Sequence, residues 1–164
     1  MTSAMRRALA MVAAVLVAVV ALILGGCALG LFAGQPPAHL GAKDGRLAAC
    51  PSSPNCVSSQ GDPADATHYI APIAFKGDAR AAWRALRETV AESERVKIID
   101  EQDGYLRAEF ATKFFGFVDD VEFLLDAPAR VIHVRSASRL GYGDLGVNRA
   151  RIEALRTRLA ARTA

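Results

Sequence analysis

The sequence has few of the residues on which recognisable catalytic chemistry depends. Its 164 residues include three cysteines and three histidines, and aromatic residues make up only 7% of the chain. There is no GxSxG segment, no HExxH segment and no paired Cys/His motif, so no sequence signature of this kind indicates a hydrolase. We therefore predict no metal site and no cofactor, and we do not favour an enzymatic activity.

A strong charge excess is also lacking once the N-terminal segment is set aside. The formal net charge is +3, from 20 basic and 17 acidic residues. Arg6 and Arg7 are the only charged residues before Cys27, which leaves 18 basic and 17 acidic residues for the rest. A nucleic-acid-binding protein needs a basic excess on one face, so nucleic acid is not an expected partner.

Charged residues are missing altogether from residues 8–33. This apolar run exceeds the roughly 20 residues needed to cross a bilayer and the apolar region of about 7–15 residues in a signal peptide. Arg6 and Arg7 precede it and no cation follows immediately, which favours a cytoplasmic N-terminus. We therefore predict that residues 1–33 are a membrane anchor or lipoprotein signal segment in contact with lipid. The body would face the periplasm or cell exterior.

Cys27 leaves two interpretations of this segment open. Leu24, Gly25 and Gly26 precede it and resemble a bacterial lipobox, in which the chain is cut before a lipidated cysteine. The apolar residues that continue past Cys27 favour an uncleaved helix instead. Cys27 is thus a candidate lipidation site, and both interpretations export the body and tether it to the membrane.

The rest of the chain divides into a tether and one domain. Pro36 and Pro37 favour extended backbone, so residues 34–66 are predicted to be a tether that includes a cysteine loop. Residues 67–164 are predicted to form an α+β domain. Its predicted elements are strands at 67–75, 96–100, 105–111, 117–125 and 131–138, and helices at 79–92 and 146–162. We expect a four- to five-stranded antiparallel meander with two helices packed on one face.

Charge alternation suggests how the strands are paired. Asp100 opposite Arg107, Arg107 opposite Asp120, and Asp120 opposite Arg135 would form one polar row on a solvated face. The same register places an apolar row, with Ile99 and Ala108, on the other face. The members of that row are Leu106, Val121 and Val134. His133 is expected beside Glu122 as a surface pair.

Asp119 is the exception to this pattern, because the register places it on the apolar face. A buried carboxylate needs a partner, and Arg139 and Arg149 are the expected donors. The result is either a structural ion pair or a polar anchor in a ligand pocket between the sheet and the helices.

The glycine-rich segment 138–156 could bind an anion where it enters the last helix, with Asp144 or Asn148 as the helix cap. The alternative is a capped helix with a solvated basic face. The candidate ligand-binding residues are Asp119, Ser138, Arg139, Asp144, Asn148 and Arg149.

Phe114 and Phe115 lie at a predicted hairpin tip. They either pack back onto the domain or contact the membrane interface or a pocket mouth.

Cys50 and Cys56 are the two cysteines of the exported body. Proline and serine between them favour turns, and disulfides persist outside the cytoplasm, so we predict a disulfide. Metal binding and redox chemistry are the alternatives, but the C-x5-C spacing suits neither zinc nor a C-x-x-C centre.

Three blocks of sequence together resemble one family. CPSSPNCVSS, FFGFVDDVEF and SRLGYGDLGVNRARIEALR, in this order and spacing, are similar to the bacterial and plastid family known as domain of unknown function 1499. The resemblance covers roughly residues 49–159 and implies a small exported or membrane-anchored protein without an established activity. The residues that match the family's motifs are Cys50, Pro54, Asn55, Cys56, Ser58, Asp119, Asp120, Ser138, Arg139, Asp144, Asn148 and Arg149.

The sequence therefore predicts a membrane-tethered envelope protein that is a non-catalytic module for an apolar or anionic ligand or for a protein partner. The alternative is an envelope hydrolase that uses Asp119 or a serine of the 50–60 loop. For the hydrolase, His133 or His68 would have to meet Ser58 or Ser59 within hydrogen-bond reach.

Overall fold

The computed structural model describes residues 2–163. The chain begins with helix α1 (Ser3–Ala28), which is long and apolar enough to cross a membrane and is not buried against the rest of the protein. Gly30 then adopts a left-handed conformation and the chain reverses. A Cβ on Gly26 would lie 3.2 Å from the Phe32 ring, so Gly26 permits this close return. Cys27 lies in the last turn of α1 and is not bridged.

The body is an α+β fold, as the sequence predicts. Its strands are β1 (Cys56–Ser58), β2 (Ile73–Ala74), β3 (Val96–Gln102), β4 (Tyr105–Ala111), β5 (Val118–Asp126) and β6 (Val131–Ser138), and its helices are α2 (Ala79–Ala91) and α3 (Val147–Arg162). The six strands form one antiparallel sheet in the order β1-β6-β5-β4-β3, and β2 also pairs with β6. The expected strand at 67–75 is reduced to the two residues of β2.

Helix α2 begins where the sequence predicts it. Asp78 accepts a hydrogen bond from the Ala81 N–H at 2.8 Å, which satisfies one of the free donors at the helix N-terminus. Its buried side chains, Leu86 and Val90, join Ile152, Leu155 and Leu159 of α3 in one hydrophobic cluster with the apolar side chains of the sheet. The sheet contributes Leu106, Ala108, Phe110, Val121, Phe123, Ile132 and Val134 to this cluster.

The sheet begins earlier than expected. β1 pairs with β6 through Cys56, Val57 and Ser58, and Val57 is part of the hydrophobic cluster. Residues within the predicted tether are therefore an edge of the sheet. The segment is too short and too rich in serine for an alternating pattern to predict a strand. The expected start of the fold at residue 67 is therefore wrong, because the sheet already includes residues 56–58.

The predicted register is correct at one hairpin and wrong at two. Asp100 does lie opposite Arg107. Arg107 and Arg135, however, both lie opposite Glu122 rather than Asp120. The shift is two residues, which keeps every side chain on its predicted face. Gly116 and Arg130 adopt left-handed conformations within the two hairpin loops.

A bulge corrects a further detail of the apolar row. The pairing of β3 with β4 is interrupted between Ile98 and Asp100, so Ile98, and not Ile99, lies opposite Ala108. Leu106 is paired with Phe123, and Phe123 with Val134, while Val121 lies opposite Ala108. The apolar side chains lie on the predicted face of the sheet, but the residues that lie opposite one another differ from those predicted.

The predicted disulfide between Cys50 and Cys56 is present, with 5.6 Å between the two Cα atoms. It joins the segment before the sheet to the first residue of β1.

We expect replacement of both Cys50 and Cys56 by alanine to lower the free energy of unfolding by about 2 kcal/mol, because a small closed loop restricts the unfolded chain. Urea unfolding of the full chain in mild detergent, followed through the fluorescence of Trp83, measures this. Cys27→Ala is the control and should leave the body's stability unchanged. A double variant as stable as the wild type would contradict the prediction.

Candidate functional site

Asp119 is buried on the apolar face, as predicted, but its expected partners are wrong. Its carboxylate pairs with the Arg151 guanidinium, and Asp119 lies opposite Phe110 and Ser138. Arg139 is excluded because it belongs to the opposite face of the sheet, and Arg149 donates instead to the carbonyls of Ala66 and Thr67. Asp119 is thus one member of a closed ion pair at the start of β5.

Asn148 is the centre of the polar contacts around that pair. It is fully buried, and its Oδ1 accepts hydrogen bonds from Ser136 Oγ at 2.6 Å and Arg151 Nη1 at 2.7 Å. Its Nδ2 donates to the Asn55 carbonyl and to Ser138 Oγ, both at 3.0 Å. One amide therefore joins β6, α3 and the cysteine loop, and all its polar atoms are satisfied.

Asp144 occupies the N-terminus of α3. Its carboxylate accepts hydrogen bonds from the N–H groups of Gly146 and Asn148, each at 2.9 Å. Partial burial of Asp144 opposes ionisation, but these N–H groups outweigh it and lower the pKa of the carboxyl. The donors that an anion would use at this turn are therefore already bound to the chain's own carboxylate.

The polar face of the sheet is not solvated at its centre. Asp120, Glu122 and Arg135 are 1%, 0% and 2% exposed. Residues 34–49, which we call the strap, cross this face: Gly41 N–H donates to Glu122 Oε1 at 2.8 Å, and Leu47 is buried. Residues 34–49, which were expected to be an extended tether, therefore pack on the sheet. The row of charged side chains that was expected to be solvated is covered by them.

We call the side chains beneath the strap the charged network. Arg135 Nη1 donates to Glu122 Oε2 at 3.2 Å, and Tyr105 donates its hydroxyl proton to Glu122 Oε1 at 2.8 Å. Burial, followed by the Glu122 charge, raises the pKa of Tyr105, so the phenol stays protonated.

Arg139 forms the second half of the charged network. Its Nε and Nη2 donate to the two oxygens of Asp120 at 2.7 and 2.8 Å, and Nη2 also contacts Glu109. Arg107 adds a longer contact of 3.4 Å to Asp120. The hydrogen bonds to Asp120 raise the pKa of Arg139 still further, so the guanidinium stays protonated. The charged network consists of Arg107, Arg135, Arg139, Glu109, Asp120 and Glu122.

Phe114 and Phe115 are exposed at the β4–β5 tip, and Phe117 beside them contacts the chain that leaves α1. The Phe32 and Phe117 ring centroids are 5.7 Å apart. The segment after β6 leaves the sheet at this same end, because Arg139 N–H donates to the Val118 carbonyl. We call the exposed apolar residues here the apolar end. They are Phe114, Phe115, Phe117, Leu140, Tyr142, Leu145 and Val147.

His133 does not pair with Glu122, contrary to the prediction. Its Nδ1 lies 3.2 Å from Ser59 Oγ, and its Nε2 lies 3.7 Å from Asp126. Ser59 Oγ also accepts the Val134 N–H at 2.9 Å and is buried. The hydroxyl therefore links two strands, although its distance to the imidazole is within hydrogen-bond reach.

His68 is held between two acceptors. Its Nδ1 is 2.6 Å from the Asp65 carboxylate and its Nε2 is 3.2 Å from the Ser53 carbonyl. The hydrogen bond to Asp65 raises the pKa of His68 above its usual 6.5. A ring with two acceptors is stabilised as the imidazolium, which cannot act as a base.

This pair predicts a pH dependence. Because the folded pKa of His68 is raised, its contribution to stability is fully present below about pH 6.5 and is lost as pH rises through the higher folded value. The stability difference between wild type and His68→Gln should therefore shrink between about pH 5.5 and about pH 9. Urea unfolding at both pH values measures it. A difference that is constant or larger at high pH would contradict the protonated state assigned here.

Among the described residues, no group of three or more His, Cys, Asp or Glu side chains could hold a metal ion. The predicted ligand residues divide between two networks: Asp119, Ser138, Asp144 and Asn148 in one, and Arg139 in the other. Arg149 belongs to neither network and donates to the carbonyls of the loop at residues 66–67. Sequence reasoning missed Arg151, for which the helical spacing of Asn148, Arg151 and Ile152 was the available signal. It named Arg135 only as a member of a solvated row, whereas the side chain is buried beside Glu122.

No curated protein is significantly similar to the chain. The sequence profile of the family described as "Protein of unknown function (DUF1499)" matches residues 46–159, which include the cysteine loop, the whole sheet, α2 and most of α3. That match covers well over half of the chain, and the protein belongs to the DUF1499 family.

Proposed function

We propose that this protein is a non-catalytic envelope module, tethered by α1, whose body rests on the membrane through the apolar end. One observation carries the proposal. Among the described residues, every exposed large hydrophobic side chain belongs either to the N-terminal apolar segment or to the apolar end. Apolar residues scattered by chance would occur over the whole body, whereas a concentrated patch marks a contact surface.

The position of the apolar end supports a bilayer as the contact. Phe32 lies in the turn that follows α1 and packs on Phe117. A Cβ on Gly34 would lie 3.0 Å from side-chain atoms of Arg139 and Leu140. The patch therefore adjoins the exit of the membrane helix. Phe114 and Tyr142 are 77% and 78% exposed, and aromatic side chains favour the bilayer interface.

The two polar networks support the same proposal because they hold the loop that presents the patch. Arg139 is bound by Asp120, the Gly141 carbonyl accepts from Asn55 Nδ2 at 2.7 Å, and Asp144 caps α3. The apolar residues next to these fixed points are Leu140, Tyr142 and Leu145, and all three are exposed. A fixed backbone presents them outward without an ordering cost on contact.

The disulfide supports an exported body, because disulfides persist in oxidising compartments. Arg6 and Arg7 on the N-terminal side of α1 favour the orientation that places the body outside the cytoplasm.

Hydrogen–deuterium exchange of the full chain tests the contact. In lipid nanodiscs, amides of residues 113–117 and 140–146 should exchange more slowly than in the variant Phe114→Ser/Phe115→Ser/Leu145→Ser. Asp103→Ser, in the β3–β4 turn at the other end of the sheet, is the matched control and should leave the protection unchanged. Equal exchange in the wild type and the triple variant would contradict the proposal.

Ser59 and His133 provide the one observation that favours the alternative, an envelope hydrolase. Against it, Ser59 Oγ is buried and bound to the Val134 N–H, and Asp126 is beyond hydrogen-bond distance of the imidazole. Labelling of the full chain with a fluorophosphonate probe, which reacts with an activated serine, distinguishes the hydrolase from the non-catalytic module. We expect no labelling of the full chain; labelling that disappears in Ser59→Ala would favour the hydrolase and contradict a non-catalytic module.

A further inference from the structure

A cavity of about 620 Å³ lies between helices α2 and α3, at the end of the body that is remote from the apolar end. β2 forms part of its lining and pairs with Val131 and Ile132 at the start of β6, whereas the apolar end adjoins the segment that follows the last residue of β6. A body that rests on the membrane through the apolar end therefore leaves this cavity open to solvent. The volume is within the range of small-molecule sites, about 300–1,000 Å³.

The interior of this cavity is apolar. Its floor consists of the buried residues Ile73, Ala82 and Leu159, and Phe75 forms part of its wall. The helix side chains that complete the wall are small and leave the space between α2 and α3 unfilled; they are Ala81, Ala85 and Ala160. An apolar surface in contact with water is stabilised when a hydrocarbon covers it.

Two arginines at the rim of the cavity are already bound within the protein. Arg156 Nη1 donates to the Pro72 carbonyl at 2.7 Å, and Arg162 Nη1 donates to Glu88 at 3.0 Å. These hydrogen bonds join α3 to the segment before β2 and to α2. The two arginines therefore fix the walls of the cavity.

Lys76 is the cation at the rim without such a partner. Its side chain is exposed, and among the described residues no carboxylate lies within ion-pair distance of the ammonium. The same holds for the exposed Arg80 and Arg84 on the first turns of α2. Asp78, the carboxylate that lines the cavity, is held at the N-terminus of α2 by its capping hydrogen bond. This side of the cavity therefore has an excess of positive charge that a ligand can reach.

The apolar interior and the accessible ammonium together select the class of ligand. A hydrocarbon chain matches the floor and wall, and one negative charge at the end of the chain matches Lys76. A cationic amphiphile would be repelled at the same rim. An ammonium is a compact point charge on a flexible stem, so it pairs with a carboxylate without demanding a fixed geometry.

We propose that this cavity binds a single-chain carboxylate, with its hydrocarbon chain on Ile73, Phe75 and Leu159 and its carboxylate paired with Lys76. The inference is independent of the proposed membrane contact, because it uses no residue of the apolar end.

Titration of decanoate into the full chain in nanodiscs tests the assignment, with the ¹³C-labelled methyl groups of Ala82 and Ala160 as reporters. We expect saturable shifts of both methyl resonances. Decanol should bind about three- to fivefold more weakly, since it lacks the ion pair with an exposed side chain, and decyltrimethylammonium should bind more weakly still. Both reporters lie remote from the bilayer, so partition of the probe into lipid does not shift them. Absence of saturable shifts, or equal affinity for decanoate and decanol, would overturn the proposal.

Two variants assign the site. Ala85→Leu fills the cavity without touching Lys76 and should weaken the binding of decanoate and decanol alike, by about tenfold or more. Ala81→Leu fills it from an exposed position and gives the same test where Ala85→Leu folds poorly. Lys76→Gln should weaken decanoate binding about three- to fivefold and leave decanol binding unchanged. Ala91→Leu and Lys97→Gln, at exposed positions outside the cavity, are the matched controls. Unchanged decanoate affinity in the cavity-filling variants or in Lys76→Gln would overturn the assignment.

Discussion

Replacing Arg139 by methionine is expected to lower the free energy of unfolding by about 3 to 5 kcal/mol, one of the two largest effects we foresee for a single substitution. The guanidinium is 4% exposed and provides both short hydrogen bonds to Asp120. Its removal leaves that carboxylate buried with only the longer contact from Arg107. Breaking a buried pair in this way strands a charge, which costs far more than the pair itself contributes.

Urea unfolding of the full chain, followed through Trp83 fluorescence, measures the loss. Arg87→Met is the matched control, because Arg87 pairs with Glu101 on the surface and both side chains are well exposed. An exposed pair of this kind contributes no more than about 1 kcal/mol. Comparable losses in the two variants would show that the polar face is solvated after all.

The second large effect is expected for Asn148→Ala, with a loss of about 3 kcal/mol. The substitution leaves the Ser136 hydroxyl proton without its acceptor and Ser138 Oγ without its donor, and it takes one of two partners from the Asn55 carbonyl and from Arg151 Nη1. A buried polar group that loses its partner costs about 1–3 kcal/mol before rearrangement. We also expect faster deuterium exchange in residues 140–146, because the cysteine loop and α3 lose their common contact.

Arg149→Ala is the matched control for Asn148→Ala, one residue along the same helix. Its side chain binds two exposed loop carbonyls, and its removal should cost less than about 1 kcal/mol. If Asn148→Ala were as mild as Arg149→Ala, the polar contacts around Asn148 would not fix the loop that presents the apolar end.

Local signals predicted much of the fold. Asp78 followed by apolar residues at helical spacing gave α2, and alternation gave β3 to β6 with the correct face for nearly every residue. Cys50 and Cys56 could be paired because the sequence predicted an exported body, where disulfides persist, and because turn-forming residues lie between them.

The strap could not be predicted, because its contacts are remote in the chain. Gly41 and Glu122 are 81 residues apart, and a Pro-rich segment carries no periodicity to show which surface it covers. This is why a face with alternating charge was expected to be solvated.

The partners of Asp119 were mistaken for a different reason. Arg139 follows β6 closely, but Arg135, Ala137 and Arg139 alternate with Ser136 and Ser138, so Arg139 belongs to the Asp120 face. Extending the alternation of β6 by one residue would have placed the Arg139 side chain on the Asp120 face.

The most direct test of the central claim, that the body rests on the bilayer through its apolar end, is photocrosslinking of the full chain in lipid bilayers. p-Benzoylphenylalanine is placed at Phe114 or at Tyr142, and in a separate protein at Asp103 in the β3–β4 turn. After irradiation, mass spectrometry should find lipid adducts at positions 114 and 142 and none at 103. Absence of lipid adducts at 114 and 142, or equal yields at 103, would contradict the account.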